Sequence, residues 1–447
     1  MLQRLAGALT SWSTRWVPDA WIIAVILSVI TYILGLIFTK STPYELVQYW
    51  GNGFWILLSF AMQMCLIIVT GYILATTPLF NRILSDLAGL PKSPKGSIAL
   101  MALVSMILGW INWGLSIVGS AVFTRFVVRK QRGVDYRLLV ATAYLGLGVM
   151  WHSGLSGSAT LLVATPKHFL EKDVGIIPIT ETTFHPFNLI LAAIVLVALT
   201  AFGPTMHPRR EDIFEADPAL AKEGFTGPPK PREMTPAQRA EHAPGINLIV
   251  GIGGLIWLWW YFRDKGFAGV NLDVVNFAFL MIGILLHWTP ASFLKAATEA
   301  GSFIWGVVIQ FPFYAGIFGI IRFSGLAEVI AAWFTAIASQ NTYPFIVVWY
   351  SGILNYIVPS GGSKFAIEAP YIIAAGKNLG VSNAMTIIAY AWGDMVTDII
   401  QPFWAIPLLG VAKLEFRDIM GYCILYFIVY MVIVSAAFLL LPLFITV

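Results

Sequence analysis

Long apolar runs alternate with short polar segments along most of the chain. A helix that crosses a bilayer needs roughly 20 predominantly apolar residues. Seven uninterrupted runs come close to this length, near residues 20–38, 53–76, 187–206, 246–262, 272–287, 300–321 and 419–446. The first run is longer than the apolar core of a signal peptide, and no small-residue cleavage site follows it, so we interpret it as a retained span.

Four further apolar stretches are interrupted by Gly, Pro and small polar residues. They cover residues 98–128, 138–170, 343–379 and 384–412, with interruptions at 112–116, 152–158, 358–364 and 394–402. Pro removes a backbone donor and Gly loosens helical backbone, so these sites predict unwound helix. Unwound backbone at membrane depth must face protein or water. Paired interruptions in two halves of a chain are typical of transporter binding sites.

The two halves correspond in register. Asn112 and Asn355, Pro166 and Pro407, and Gln63 and Gln310 are pairs with a nearly constant separation. This spacing predicts an internal duplication. The predicted fold is an all-α polytopic membrane protein with two inverted-topology repeats, each containing a re-entrant helical hairpin and a broken transmembrane helix.

The predicted domains follow from this duplication. Residues 1–206 form an N-terminal membrane repeat with a hairpin at 98–128 and a broken helix at 138–170. Residues 246–447 form the C-terminal repeat, with the hairpin at 343–379 and the broken helix at 384–412. Residues 207–245 are predicted to be a cytoplasmic polar linker, because they offer too few apolar positions for a core.

Composition agrees with a membrane protein. The chain is 58% hydrophobic and 11% charged, whereas soluble domains carry about 25% charged residues. The formal charge of +4 is too weak and scattered for nucleic-acid binding. Cys65 and Cys423 lie in apolar runs and predict neither a disulfide nor a metal site. With a cytoplasmic N-terminus and re-entrant hairpins, most of the 27 basic residues lie in the cytoplasm, as the positive-inside rule requires. The two hairpins then enter from opposite faces.

The interruptions carry candidate binding residues. A helix broken within the membrane presents amides with partial positive charge at one end and carbonyls at the other, so anions and cations can share one site. The small polar candidates are Asn112, Ser116, Ser156, Ser158, Asn355, Ser360 and Ser363. The alternative is that these residues only allow helices to pack closely.

Four charged residues fall within predicted membrane segments, where charge is costly and usually functional. Lys364 and Glu368 are one helical turn apart and can pair. Asp394 and Asp398 repeat this spacing, and two neighbouring carboxylates favour a bound proton or cation. The alternatives are a structural pair at the hairpin mouth and two aspartates that face water. His152 is expected to be a local hydrogen-bonding residue rather than a proton relay.

Tryptophans also mark the interruptions. Most of the chain's tryptophans fall near span ends, where interfacial aromatic residues anchor a protein in the bilayer. Trp113, Trp392 and Trp404 lie instead beside the breaks. These three are candidates for the wall of an apolar substrate pocket.

Several motifs resemble the bacterial short-chain fatty acid transporter family, the acetoacetate and butyrate uptake carriers. The resemblance covers nearly the whole chain and is carried by residues 15–19, 50–55, 62–64, 111–114, 156–158, 310–316, 358–362, 401–405 and 417–423. The family is similar to a broader ion-transporter superfamily. This implies a scaffold domain, a transport domain with two opposed hairpins, elevator-like movement and a homodimer.

We therefore expect a secondary carrier in the bacterial cytoplasmic (inner) membrane that imports a short monocarboxylate with H⁺ or Na⁺. The expected substrate-binding residues are Asn112, Ser116, Asn355, Ser360, Gly361, Gly362, Ser363 and Lys364. The expected coupling-ion residues are Ser156, Ser158, Glu368, Asp394 and Asp398. No cofactor and no metal other than Na⁺ are expected, and the partners are the substrate, lipid and a second copy.

Other functions remain open or are disfavoured. The additional charges leave a carrier for dicarboxylates or amino acids as the alternative. A phosphate-binding loop is absent from the sequence, so ATP is not expected to drive transport. A nucleophile elbow and a zinc-protease motif are absent too, so an enzyme is not expected. A channel is less favoured than a carrier because broken helices in paired repeats are typical of carriers.

Overall fold

The computed structural model describes residue 15 and residues 20–217, 228–231 and 233–440. Across these ranges the secondary structure is helical, without a β-strand. Some stretches used above lie outside the described residues. They are residues 16–19 of the first matching motif, residues 218–227 and 232 of the linker, and the end of the last predicted span.

The helices are numbered here from the first described one. The first half contains α1 (Ala20–Phe38), α2 (Pro43–Gly53), α3 (Leu58–Ala75), α4 (Pro78–Leu87), α5 (Pro94–Ile111), α6 (Trp113–Lys130), α7 (Tyr136–Ala143), α8 (Ser158–Val163), α9 (Glu171–Val174) and α10 (Pro186–Phe202). A short helix, α11 (Pro236–Glu241), lies in the linker.

The second half contains α12 (Gly245–Lys265), α13 (Leu272–His287), α14 (Pro290–Gly301), α15 (Trp305–Phe323), α16 (Leu326–Ile337), α17 (Tyr343–Ile357), α18 (Gly361–Asn378), α19 (Asn383–Met395), α20 (Ile406–Ala412) and α21 (Phe416–Leu440). The sequence analysis did not assign α16, whose 12 residues are too few for a span.

The chain is a multi-pass membrane protein. In the described residues, 8 helices are long and apolar enough to cross a membrane, or 9 if one pair bent by 69° is counted as a single span. Each of the seven uninterrupted runs contains a helix within its described residues, although α13 is shorter than a full span. Burial differs sharply among the spans. Within the protein, 94% of an apolar 18-residue stretch of 136–163 is buried, against 22% for the first span, so the broken helix is central and α1 is peripheral.

The break in the first predicted hairpin is narrower than the sequence suggested. Only Asn112 leaves the helical conformation between α5 and α6, with φ −161° and ψ 123°. Its side-chain oxygen accepts a hydrogen bond from the Leu115 N–H at 2.8 Å and caps α6. Because this cap restarts the helix at Trp113, Ser116 is helical and the expected unwinding over 112–116 is wrong.

The second predicted hairpin also resumes its helix early. The predicted break at 358–364 is confined to the residues between α17 and α18, and Gly361 already begins α18. The Lys364 N–H donates to the Ser360 carbonyl at 2.9 Å, which closes the first turn. The predicted unwinding of Gly361, Gly362, Ser363 and Lys364 is therefore wrong, because the helix forms as soon as Ser360 supplies an acceptor.

Both predicted broken helices are interrupted. After α7 the chain passes through a π-turn at Gly146–Met150 and a 3-10 turn at Trp151–Ser153 before α8 begins. After α19 it passes through 3-10 turns at Asp398–Ile400 and Phe403–Ala405 before α20. These irregular segments bring polar side chains to the centre of the molecule.

Close backbone contacts hold the first break against α5 and α6. A Cβ added to Gly109 would lie 2.2 Å from the Gly146 carbonyl oxygen. A Cβ on Gly146 would lie 2.0 Å from the Ser105 carbonyl oxygen and from Ser116 Oγ. Only glycine allows this approach. The π-turn of the first broken helix is therefore packed closely against α5 and α6.

The described part of the linker contacts the membrane region. The Phe214 carbonyl accepts from the Tyr136 N–H at 2.8 Å, and the Phe214 N–H donates to Asp135 Oδ2 at 2.9 Å. Asp135 also caps α7 through the Leu138 N–H at 2.8 Å. The linker is thus tied to the start of the first broken helix.

Candidate substrate and ion site

The irregular segments of both halves meet at one small cavity. Its polar wall is formed by Ser158, Ser360, Gly361, Gly362 and Asp398. Its aromatic wall includes Trp113, Trp151 and Trp404. About 40 Å³ is open to the centres of water-sized molecules, which is room for a few waters. The predicted hairpins and broken helices therefore contribute to one shared site.

The N-terminus of α18 faces this cavity. The N–H groups of Gly361, Gly362 and Ser363 belong to the first turn, where an α-helix has no acceptor of its own. The Ser360 side chain does not cap them, and instead accepts from Ser363 Oγ at 2.5 Å. Amides at a helix N-terminus carry partial positive charge and suit a carboxylate. This end of the cavity can therefore receive an anion.

Behind the cavity wall lies a fully buried ionic cluster centred on Lys364. Its Nζ lies 3.0 Å from Glu368 Oε1 and 3.1 Å from Asp394 Oδ1. It also donates to the carbonyl and hydroxyl oxygens of Ser351, at 3.2 and 2.5 Å. The predicted pair of Lys364 and Glu368 thus forms. However, Lys364 does not line the cavity. Protein oxygens also occupy its three N–H donors, so the structure does not place it to hold a substrate carboxylate.

His152 joins this cluster from the first half. Its Nδ1 lies 2.7 Å from Asp394 Oδ2, and its Nε2 accepts the Ala159 N–H at 3.0 Å. A neutral ring that accepts at Nε2 must carry its proton on Nδ1 and donate to Asp394. The Trp151 ring stacks on His152 with centroids 4.3 Å apart. The sequence analysis expected a local role for His152 and did not foresee a partner in the other half.

Asp398 borders the cavity directly. Its Oδ1 accepts from Asn355 Nδ2 at 2.6 Å, and its Oδ2 accepts from Trp151 Nε1 at 2.9 Å. Lys364, Glu368 and Asp394 are 0% exposed and Asp398 is 3% exposed, so neither aspartate faces bulk water. The predicted alternatives of a water-facing pair and a pair at a hairpin mouth therefore do not describe this cluster.

The other polar candidates mainly support the backbone. Asn112 caps α6, and Ser116 Oγ donates to the Ser105 carbonyl at 3.0 Å. Ser156 Oγ accepts the Trp113 N–H at 2.9 Å. None of these three lines the cavity described above, whereas Ser158 does. Asn355 reaches the site through its hydrogen bond to Asp398.

Two tryptophans separate this cavity from a larger apolar one. The Trp113 and Trp404 rings meet edge to face with centroids 5.5 Å apart, and both rings border both cavities. The second cavity has about 240 Å³ open to the centres of water-sized molecules. The indole Nε1–H of Trp404 donates to the Pro359 carbonyl at 2.6 Å. The buried indole Nε1–H of Trp113 has no hydrogen-bond partner within the described part of the chain.

Trp392 has a different position from that expected. Its N–H donates to Asn188 Oδ1 at 2.8 Å, and its ring stacks near Tyr430. It borders neither of these two cavities. Its place is in the packing of α19 against α10 and α21, so it does not form part of the aromatic wall.

The site carries excess negative charge. Among the described residues of the cluster, three buried carboxylates, Glu368, Asp394 and Asp398, stand against the one ammonium of Lys364 and a neutral His152, so the cluster is negative when all three are ionised. Uncompensated buried charge is costly, so such a site favours uptake of protons or cations. Among the described residues, no group of three or more His, Cys, Asp or Glu side chains could hold a metal ion.

A multi-pass helical bundle whose broken helices meet at a buried cavity is typical of membrane transporters. Residues 1–441 match the short chain fatty acid transporter family, and the chain belongs to this family. Its curated relatives are transporters, so the protein is not an enzyme.

Two bacterial relatives cover nearly the whole chain, and both are named "Putative short-chain fatty acid transporter". The protein from Escherichia coli (strain K12) is 37% identical over 425 residues, covering 95% of this chain and 96% of the relative. The protein from Haemophilus influenzae (strain Rd) is 36% identical over 431 residues, with the same two coverages.

Solved transporter structures share the fold. The crystal structure of the Alcanivorax borkumensis YdaH transporter has a TM-score of 0.58 and 16% identity, covering 96% of this chain and 99% of that one. Neisseria gonorrhoeae MtrF, described as an antimetabolite efflux pump, has a TM-score of 0.56 and 15% identity, covering 98% of this chain and 97% of its own. At these identities the similarity concerns the fold alone.

Proposed function

We propose that the protein takes up short-chain fatty acids or related monocarboxylates, together with a cation (H⁺ or Na⁺), across the bacterial cytoplasmic membrane. The observation that carries this proposal is the composition of the small cavity. An uncapped helix N-terminus and a buried carboxylate, Asp398, border one space with apolar aromatic walls. This combination suits a small molecule with one anionic group and a short apolar tail.

The substrate carboxylate would bind the amides of Gly361 and Gly362 and the hydroxyl of Ser360. Because these groups are fixed at the start of an 18-residue helix, they need no reorganisation to receive an anion. The acyl tail would lie against Trp113 and Trp404. The cavity is narrow, with about 40 Å³ open to the centres of water-sized molecules, which favours acids with few carbons.

Coupling would follow from the position of Asp398 in the same cavity. A substrate carboxylate and an ionised Asp398 repel each other, so binding of the anion favours a protonated Asp398 or a cation between them. The side-chain N–H groups of Trp151 and Asn355 donate to the Asp398 carboxylate, and the Tyr144 O–H donates to the Asp398 backbone carbonyl. Moving one negative charge inward costs about 2.3 kcal/mol per 100 mV, and one accompanying cation cancels this cost.

The transport movement is proposed from the same architecture. Residues 98–128 and 343–379 would be re-entrant hairpins of two inverted repeats, carried with the broken helices in an elevator-like displacement. The protein would be a homodimer with a cytoplasmic N-terminus and no cofactor besides its coupling ion. The similar break pattern of the two halves and their meeting at one cavity support this proposal.

An amino acid or dicarboxylate is the alternative substrate. The cavity pairs an anion-binding helix end with the carboxylate of Asp398, which also suits the carboxylate and ammonium of an amino acid. A partial relative, named "Putative basic amino acid antiporter YfcC" in Escherichia coli (strain K12), is 30% identical over 97 residues, 21% of this chain.

The test is uptake of labelled butyrate into proteoliposomes under an imposed Na⁺ gradient or an imposed pH gradient. Accumulation under either gradient supports monocarboxylate symport and identifies the ion. Absence of accumulation under both contradicts it. Competition by unlabelled butyrate, succinate and amino acids then separates the two substrate classes.

A further inference from the structure

The ammonium group of Lys364 has the surroundings of a bound metal cation. Four oxygens lie within 3.2 Å of its Nζ: the carbonyl and hydroxyl of Ser351, Glu368 Oε1 and Asp394 Oδ1. The face of the Tyr390 ring lies 4.3 Å away. The side chain is completely buried.

The contacts around this ammonium differ in kind. Three of them, two to Ser351 and one to Glu368, have hydrogen-bond geometry and account for the three N–H donors of a lysine. The fourth, to Asp394 Oδ1, is an ionic contact without hydrogen-bond alignment. The attraction between Asp394 and this ammonium therefore depends on the positive charge and not on a hydrogen bond from a particular N–H.

We propose that the Lys364 ammonium is a tethered cation that occupies the position of a coupling metal ion, so that transport uses H⁺ and not Na⁺. Two carboxylates, a carbonyl and a hydroxyl form the kind of all-oxygen shell that hard cations prefer. While Lys364 fills this shell, Na⁺ cannot enter it. This inference rests on the proposed function and specifies its coupling ion.

The remaining groups suit a proton better than a second metal ion. A proton needs one acceptor oxygen, whereas a metal ion needs several oxygens arranged around it. Asp398 is held by two N–H donors, from Asn355 and Trp151, and donors of this kind do not coordinate a metal.

The test removes the tether while keeping the shell. Lys364→Ala leaves the oxygens of Ser351, Glu368 and Asp394 around an empty space, and Lys364→Met is the matched control that fills this space without charge. Purified wild type and both variants are melted in NaCl and in choline chloride without substrate. They are also reconstituted for uptake of labelled butyrate in the two salts.

We expect the wild type to melt and to transport equally in both salts. Lys364→Ala should melt several degrees higher in NaCl than in choline chloride, because an ion that binds only the folded state stabilises it. Na⁺ should also raise its uptake roughly tenfold, equivalent to about 1.4 kcal/mol of binding free energy. Lys364→Met should respond to neither salt.

Three results would overturn the proposal. One is wild-type uptake that requires Na⁺, which needs no variant. Another is a Lys364→Ala protein with the same melting temperature in NaCl and in choline chloride. The same holds if Lys364→Ala cannot be recovered folded in either salt although Lys364→Met can. The last is a Na⁺ response in Lys364→Met equal to that of Lys364→Ala. If butyrate is not transported at all, the proposed function fails, while the melting comparison still tests the tethered cation.

Discussion

Replacement of Asp398 by Asn removes the one ionisable carboxylate that borders the small cavity among the described residues, with little change in size. In the wild type, Asp398 accepts hydrogen bonds from Asn355 and Trp151. An Asn side chain has only one acceptor oxygen, so one of these buried donors then faces an NH₂ group. Such a loss costs about 1–3 kcal/mol of folding stability, a decrease that a stable protein tolerates.

The effect on coupling should be much larger than the effect on folding. One coupled proton and a pH gradient of one unit can drive about tenfold accumulation, because a factor of ten corresponds to about 1.4 kcal/mol. If Asp398 carries this proton, Asp398→Asn abolishes the accumulation. An anion that moves alone against an inside-negative potential of 100 mV is opposed by about 2.3 kcal/mol. At equilibrium its concentration inside is then about fiftyfold lower than outside.

The assay is labelled butyrate uptake into proteoliposomes with a pH gradient of about one unit, together with counterflow exchange at equal pH. We expect Asp398→Asn to lose accumulation and to keep exchange, because exchange needs no net proton movement. Asp264→Asn is the control, since the Asp264 side chain is 73% exposed and lies far along the chain from the breaks. An Asp398→Asn protein that still accumulates butyrate about tenfold would refute the role of Asp398.

Three further changes test the site and its support. Trp113→Phe removes the indole Nε1–H, which has no partner in the described residues; if this group donates to bound substrate, KM should rise about fivefold, equivalent to about 1 kcal/mol, at unchanged melting temperature. His152→Ala leaves Asp394 without its donor and the Ala159 N–H without its acceptor, and each loss should lower the free energy of unfolding by about 1–3 kcal/mol in thermal unfolding. Gly109→Ala forces a Cβ against the Gly146 carbonyl and should cost about 1–3 kcal/mol in the same assay, whereas its matched control Gly253→Ala, which meets open space, should not.

The helical framework could be predicted because its signal is local. The apolar run at 246–262 corresponds to α12, and the run at 20–38 corresponds to α1, since length and hydropathy alone identify a span. The helix α16 was not predicted because it is too short to be identified as a span. The predicted hairpin breaks at 112–116 and 358–364 were too long, because a single cap such as Asn112 is enough to restart a helix. The break predicted at 152–158 instead begins earlier, at Gly146, and the one predicted from Asp394 begins only after Met395.

The candidate site could be predicted only where its contacts are close in sequence. Lys364 and Glu368 are four residues apart, so their ion pair follows from helix periodicity. The partner of Asp394 in the first half, His152, is 242 positions away, and no spacing rule connects two such residues. The hydrogen bonds from Lys364 to buried oxygens could not be predicted from the sequence either, because they depend on Ser351 in the preceding helix.

The two halves make chemically different contributions although their breaks correspond. The second half supplies all the charged groups of the cluster, Lys364, Glu368, Asp394 and Asp398, while the first half supplies neutral donors. Trp151 binds Asp398, and the neighbouring His152 binds Asp394. Two adjacent residues of the first broken helix therefore bind two aspartates of the second broken helix. Separating the two broken helices would leave both aspartates without these donors in a buried environment, which is strongly unfavourable. We therefore expect the two broken helices to move as one unit during transport, carrying the charged cluster with them.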